Sequence, residues 1–283
     1  MHNFDRIGTP RARLLGLAAA VSLAAVSGAG TALASPFADD FESSAVGAFP
    51  SANWLDLHEF TVPGDGMPSG QVISTTGRDG SQTNAFQIDQ RRTTSQGLLR
   101  AIDRGPTHSL SADLRIDAHP TPVRGGNWTG GMGFFNQTNP DADINQQAQA
   151  VIYSQNNQWF FYGSNTSSDF QITALGAQAN AGEWYSISMV VDAILGSFDI
   201  SILDESGASV VDQTVVFNRF NPDAGAFNRI AFFDGEYDIR FAEAGQFTVD
   251  NVRYIPTPAS LAVFSAALLT RSRRRHRSPA SPA

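Results

Sequence analysis

The sequence predicts an all-β middle, two antiparallel sheets forming a sandwich or barrel, and three observations predict it. Apolar residues recur at every second position rather than every 3.6. The alternating runs are short, and turn chemistry separates them, as in DESG at 204–207, NPDAG at 221–225 and SNTSSD at 164–169. No unit of 20–50 residues repeats, and about 220 residues suit one jelly-roll sandwich.

Each strand has its own signal. Leu110, Ala112, Leu114 and Ile116 alternate with Ser111, Asp113 and Arg115, the pattern of a half-buried strand. Residues 131–135, 150–154 and 158–163 are the next strand candidates, with one helix candidate near 141–150 and a Gly- and Pro-rich loop at 120–131. Tyr185, Ile187, Met189 and Val191 alternate with Ser186, Ser188 and Val190. Phe198, Ile200 and Ile202 alternate with Asp199 and Ser201. Residues 214–217, 229–233 and 247–254 complete the set.

The chain of 283 residues has no cysteine, which removes disulfides, thiolate metal sites and thiol catalysis. It has no lysine either, so arginine carries all its basic charge. Of 19 arginines, three precede residue 36 and five follow residue 255, which leaves eleven against 26 acids in 36–255. A body of net charge about −15 repels phosphates, so nucleic acid and anionic membrane are set aside as its partners.

The two ends read as addresses. Arg6, Arg11 and Arg13 precede the apolar run 14–26, and Ala32-Leu33-Ala34 is a small-residue cleavage site with the cut before Ser35. Residues 1–34 are therefore expected to be a helical secretory signal peptide. At the other end Pro256-Thr257-Pro258 leads into an apolar run, 260–270, and then Arg271, Arg273, Arg274, Arg275 and Arg277. As a helix the run measures about 16 Å against a hydrocarbon core of about 30 Å, with the arginines held on the cytoplasmic side. These three parts, in this order, resemble a PEP-CTERM sorting segment. Thr257 stands where that family usually has glutamate. The resemblance implies transient residence in the inner membrane through 255–283. It also implies processing by an exosortase, a membrane-embedded transpeptidase, and delivery to the surface or extracellular polysaccharide of a Gram-negative-type bacterium.

Within 35–254, the stretches FADDFESSAVGAFP (37–50), AGEWYSISMVVDAILGSFDISILDESG (181–207) and FTVDNVRY (247–254) resemble the concanavalin A-like, laminin-G-like sandwich. The resemblance implies that the first strand pairs with the last. Asp39, Asp40 and Glu42, placed on that first strand, would then meet Asp250 and Asn251. Asp40, Glu42 and Asp250 are accordingly candidate oxygen ligands for a structural calcium ion.

Catalytic signatures are scarce. The glycosidases of this fold carry E-x-D-x-x-E on one strand face. Glu236-Tyr237-Asp238-Ile239-Arg240 approaches it, but Phe241 stands where the second glutamate belongs. No G-x-S-x-G, H-E-x-x-H or P-loop occurs, and His58, His108 and His119 share no ligand spacing. Asn127, Asn136 and Asn165 head N-x-S/T triplets, read as chance in a bacterial chain. A glycan-binding surface is the better expectation. Trp128 sits in a glycine-flanked loop, and Gln155, Asn156, Asn157 and Gln158 precede Trp159-Phe160-Phe161-Tyr162. One alternating aromatic pair must face the core. The other, beside the amides, would stack on a sugar, so Trp128, Gln155, Asn157, Trp159 and Tyr162 are the candidates. No catalytic residue is assigned, and a divergent glycan hydrolase on the same fold is the alternative.

Overall fold

The computed structural model describes residues 36–50, 53–57, 68–89, 96–105, 107–119, 128–136, 148–166, 168–220, 227–234 and 245–256, all within one compact unit. Both terminal segments, from the cleavage site Ala32, Ala34 and Ser35 to Thr257, Pro258 and the arginine cluster, lie outside these residues. So do Glu236, Asp238 and the turn at 221–225.

The described residues form fifteen strands, every pairing antiparallel. They are β1 (Phe37–Asp39), β2 (Leu55–Asp56), β3 (Gly70–Thr76), β4 (Gln82–Asp89) and β5 (Gln96–Gly105). Then come β6 (Thr107–Ala118), β7 (Trp128–Phe135), β8 (Gln149–Gln155), β9 (Gln158–Thr166) and β10 (Asp169–Gln178). The last five are β11 (Trp184–Asp192), β12 (Ser197–Leu203), β13 (Ser209–Val216), β14 (Phe227–Asp234) and β15 (Gln246–Pro256). One sheet runs β13-β12-β11-β6-β15-β4-β3, with β1 also on β15; the other runs β10-β9-β8-β7-β14-β5-β2. Two such sheets stacked face to face are a jelly-roll sandwich.

The alternations read from sequence are the core. Leu110, Leu114, Ile116, Tyr185, Ile187, Met189, Val191, Phe198, Ile200 and Ile202 are buried in one cluster, which β8, β9, β14 and β15 enter through Ile152, Phe161, Phe232 and Val249. Period-2 alternation is enough to place these side chains, because a pleated strand sends successive residues to opposite faces. The first and last strands do pair, Phe37 opposite Tyr254 and Asp39 opposite Val252.

Three expectations are corrected. Of the helix candidate, 141–147 lie outside the described residues, and Gln149 and Ala150 already belong to β8. The loop expected through residue 131 gives way to β7 at Trp128. The first strand stops at Asp39, so Asp40 and Glu42 lie beyond it, where Phe41 takes a positive φ of 57° and breaks the extended chain. At the other boundary, β15 continues two residues past 254. Pro256, the first proline of the Pro-Thr-Pro stretch, therefore stands opposite His108 in the sheet. Its position at the strand end is one where a missing N–H is tolerated.

Candidate functional site

The β8–β9 connection is a two-residue turn in which Asn156 and Asn157 both have positive φ, 51° and 62°. That is the turn whose twist matches a hairpin, and asparagine tolerates it. It sets the register Gln155 opposite Gln158, Ser154 opposite Trp159, Tyr153 opposite Phe160 and Val151 opposite Tyr162. On the far side Trp128 stands opposite Gln155. Trp128, Gln155 and Asn157 are thus brought to one corner of the seven-stranded sheet.

The same register separates the aromatic pairs. Trp159 and Phe161 are fully buried between the sheets, Trp159 edge-on to Tyr185 at 5.3 Å between centroids. Trp159 is therefore removed from the candidate surface, because a sugar cannot reach it. Phe160 and Tyr162 point outward, to the face that also carries Tyr153, Val151, Phe135, Phe233, Ala231 and Leu99. Those neighbours are themselves buried. Among the described residues the exposed hydrophobes of this sheet are Leu55 on β2, at one edge, and Phe170 and Ile172 on β10, at the other.

There β10 departs from the ordinary rule. Phe170 and Ile172 are 45% and 50% exposed, while the polar Gln171 and Thr173 on the opposite face are half-buried and Leu175 enters the core. Sliding the strand by one residue would bury both hydrophobes, since a one-residue slip exchanges faces. The observed register instead stacks Phe170 on Tyr162, at 5.7 Å and 24° between planes, while Tyr153 stacks on Phe160 at 5.7 Å and 21°. Tyr162 lies opposite Ile172 and Ser164 opposite Phe170. The result is an edge where Phe170 and Ile172 are exposed, Phe170 covers Tyr162, itself buried at 9% exposure, and the half-buried Phe160 lies nearer the β8–β9 turn with its amides Gln155, Asn157 and Gln158. No strand was expected over β10, although Phe170 and Ile172 alternate with Gln171 and Thr173 there. The direction of that alternation was not legible either, because period alone does not say which face is the core.

The acids expected to hold calcium also converge. The tip of the β3–β4 hairpin reaches the β12–β13 turn, Arg78 Nη2 donating to the Asp204 carbonyl at 2.7 Å. Beside this contact lies a cavity of about 460 Å³ whose walls include Asp40, Glu42, Asp79, Asp113, Glu205 and Asp250. The donor type suits calcium, but the geometry does not gather around one ion. Glu42 Oε1 accepts from the Asn84 N–H and the Thr83 hydroxyl, and Asp250 accepts from the Asn251 N–H and from Thr83. Among the described residues no three acidic or histidine side chains are disposed to hold a metal. The carboxylates instead tie the turn after β1 to β4 and β15. The Asn84 N–H, then the Thr83 hydroxyl, hold the Glu42 carboxyl below its usual range. Burial pushes Asp250 up to about 6, and the charges of Asp113 and Asp40 add to the rise.

A raised folded-state value means that the native carboxyl takes up its proton first. The contribution of Asp250 is fully favourable below 3.8 and is lost as pH rises through about 6. Asp250→Asn is therefore expected to stabilise the protein at pH 7.5 by about 1 kcal/mol, a figure discounted for solvent screening of a partly exposed group, and to change little at pH 3.5. Thermal melts with and without calcium check this. A variant less stable than the parent at pH 7.5 in calcium would show that the carboxylate holds an ion after all.

No protein-family model matches the sequence, and no curated protein matches it. Solved structures do resemble the fold. One comes from a study of endo-acting O-glycanases, expressed by human gut microbiota, that initiate mucin breakdown: TM-score 0.51, 12% identity, covering 78% of this chain and 99% of that one. A sialidase aligns at TM-score 0.49 and 14% identity over 80% of this chain, which spans only 18% of the sialidase. Lectin II from Ulex europaeus aligns at TM-score 0.47 and 12% identity, over 77% of this chain and 97% of the lectin. At such identities the likeness speaks to architecture alone, a jelly-roll sandwich of two antiparallel sheets.

Proposed function

We propose that this is an exported, non-catalytic β-sandwich protein that binds a glycan of the cell envelope or extracellular matrix. Its site is the β9–β10 edge. The observation that carries the reading is the inverted edge strand, where Phe170 and Ile172 face outward, Phe170 stacked on the buried Tyr162, with the amides of the β8–β9 turn further along the same sheet edge. Aromatic and aliphatic faces pack against the C–H faces of a sugar ring, and amides bond its hydroxyls. Trp128, Gln155, Asn157 and Tyr162 remain in the proposed site, Trp159 leaves it, and Phe160, Phe170 and Ile172 join it. The signal peptide 1–34 and the Pro256-Thr257-Pro258 segment support export, followed by sorting through an exosortase-like enzyme.

Retention of the full chain on immobilised polysaccharides tests the binding. Phe170→Ala is expected to weaken retention about tenfold, the loss of one stacking contact, while leaving the melting temperature within a degree or two. Retention unchanged in Phe170→Ala would overturn the edge site. Release of reducing ends from the same polysaccharides would favour the hydrolase alternative.

A further inference from the structure

β15 ends at Pro256, and β1 begins at Phe37 opposite Tyr254, so the chain enters and leaves the sandwich at the same end. At that end Pro256 stands opposite His108, and the next strands of the sheet contribute Asp192, opposite Thr107, and Ser197, opposite Asp192. Among the described residues ten large hydrophobic side chains are exposed, and five of them collect here: Val190, Ile194, Leu195, Val216 and Ile255.

Their placement follows from the register. Ile255 and Val190 both flank Ser109 on the outer face of the eight-stranded sheet, and Val216 flanks Ser197 one step nearer the end. Ile194 and Leu195 form the β11–β12 turn itself. Asp192 Oδ1 accepts both of their backbone N–H groups, at 3.0 Å each, so the carboxylate is spent on the turn and the two side chains, 57% and 69% exposed, lead into solvent.

We infer that this end of the sandwich seats on the surface of a lipid bilayer. The inference rests on the reading of 255–283 as a membrane-sorting tail. From Pro256 to Leu261 is five residues, at most about 17 Å of extended chain. A tail with its apolar run in the bilayer holds this end of the domain against the lipid, while the β12–β13 turn, at the other end of β12, points away. An apolar run of eleven residues is a weak anchor alone, and stable attachment generally takes two signals. The five side chains supply the second. The negative body disfavours a second copy on the patch and also an anionic lipid surface, so the zwitterionic bilayer is the fitting partner.

The absence of cysteine allows unique labelling. Leu195→Cys and Ser206→Cys proteins running from Ser35 to Ala283, each carrying an environment-sensitive fluorophore, are mixed with phosphatidylcholine vesicles bearing a nitroxide on the lipid headgroup. Flotation reads the tail and quenching reads the seat. Expected is flotation of both, with quenching at 195 at least about threefold that at 206, the depth dependence of a surface contact. Flotation with equal quenching at the two positions overturns the seat and leaves the tail reading standing. Absence of flotation overturns both. A label at 195 shielded from aqueous iodide yet unquenched by lipid means that the tail folds back over the patch, which also overturns the seat.

Discussion

Trp159→Ala is expected to cost about 3–5 kcal/mol of unfolding free energy, the range for removing a large aromatic side chain from a packed interior. Trp159 is wholly buried, is the largest such side chain, and meets Tyr185 edge-on, so its removal opens a void between two sheets that cannot close without shearing. Among the described residues its indole N–H finds no acceptor. Trp159→Phe therefore forfeits volume but no hydrogen bond, and a loss nearer 1 kcal/mol is expected, because a buried unpaired donor goes with the indole. Urea unfolding of the three proteins measures both differences. A near-native Trp159→Ala that no longer binds polysaccharide would place the indole on the surface and reverse the division of faces across β9.

That division marks the boundary of what the sequence discloses. The strands β6, β11 and β12 were legible because one side of each is uniformly apolar and the other carries Ser, Asp or Arg, so period and direction agree. β9 alternates aromatic with aromatic, and only the register imposed by the Asn156–Asn157 turn shows that Trp159 goes in and Tyr162 out. β10 inverts the rule, with Phe170 and Ile172 outward, and no local pattern announces an inversion. β2, β3, β4, β5 and β10 were not expected, and for β3 to β5 the reason is related. Their polar residues interrupt the apolar spacing, as in Gly70–Thr76, where Val72 is the one fully buried hydrophobe. Conversely, the meeting of the first and last strands was implied by resemblance and is present, yet the acids it brings together bond to backbone and hydroxyl groups. Proximity of oxygens is weaker than a ligand set: each of the anchoring carboxylates is engaged by donors of the chain itself.

A second large effect is expected in acid. His108 is buried beneath Phe134 and Phe227, its ring stacked on Phe134 at 5.4 Å. Nε2 lies 2.6 Å from the Gly105 carbonyl, which can only accept, so Nε2 carries the proton and donates; Nδ1 then accepts from the Tyr254 hydroxyl at 2.9 Å. The neutral ring is satisfied on both sides. Burial pushes its pKa down to about 4 from the ordinary 6.5, against the opposing pull of the Gly105 carbonyl. Because the unfolded chain takes up the proton first, stability is complete above pH 6.5, falls as pH drops through the window, and is fully lost below about 4. The difference of about 2.5 pH units corresponds to about 3 kcal/mol, with a steepest slope of about 1.4 kcal/mol per unit near pH 5. Asp250 titrates over the same range with the opposite sign. The measurement is therefore the difference between the parent and His108→Gln, each unfolded in urea at pH 7.5, 5.5 and 4.5. The variant is expected to be the less stable at pH 7.5, where the neutral imidazole is best satisfied, and the gap is expected to narrow steadily towards pH 4.5. A gap that stays constant with pH would mean that the buried ring does not resist its proton, and that the link from β6 to β15 through Tyr254 tolerates the charge.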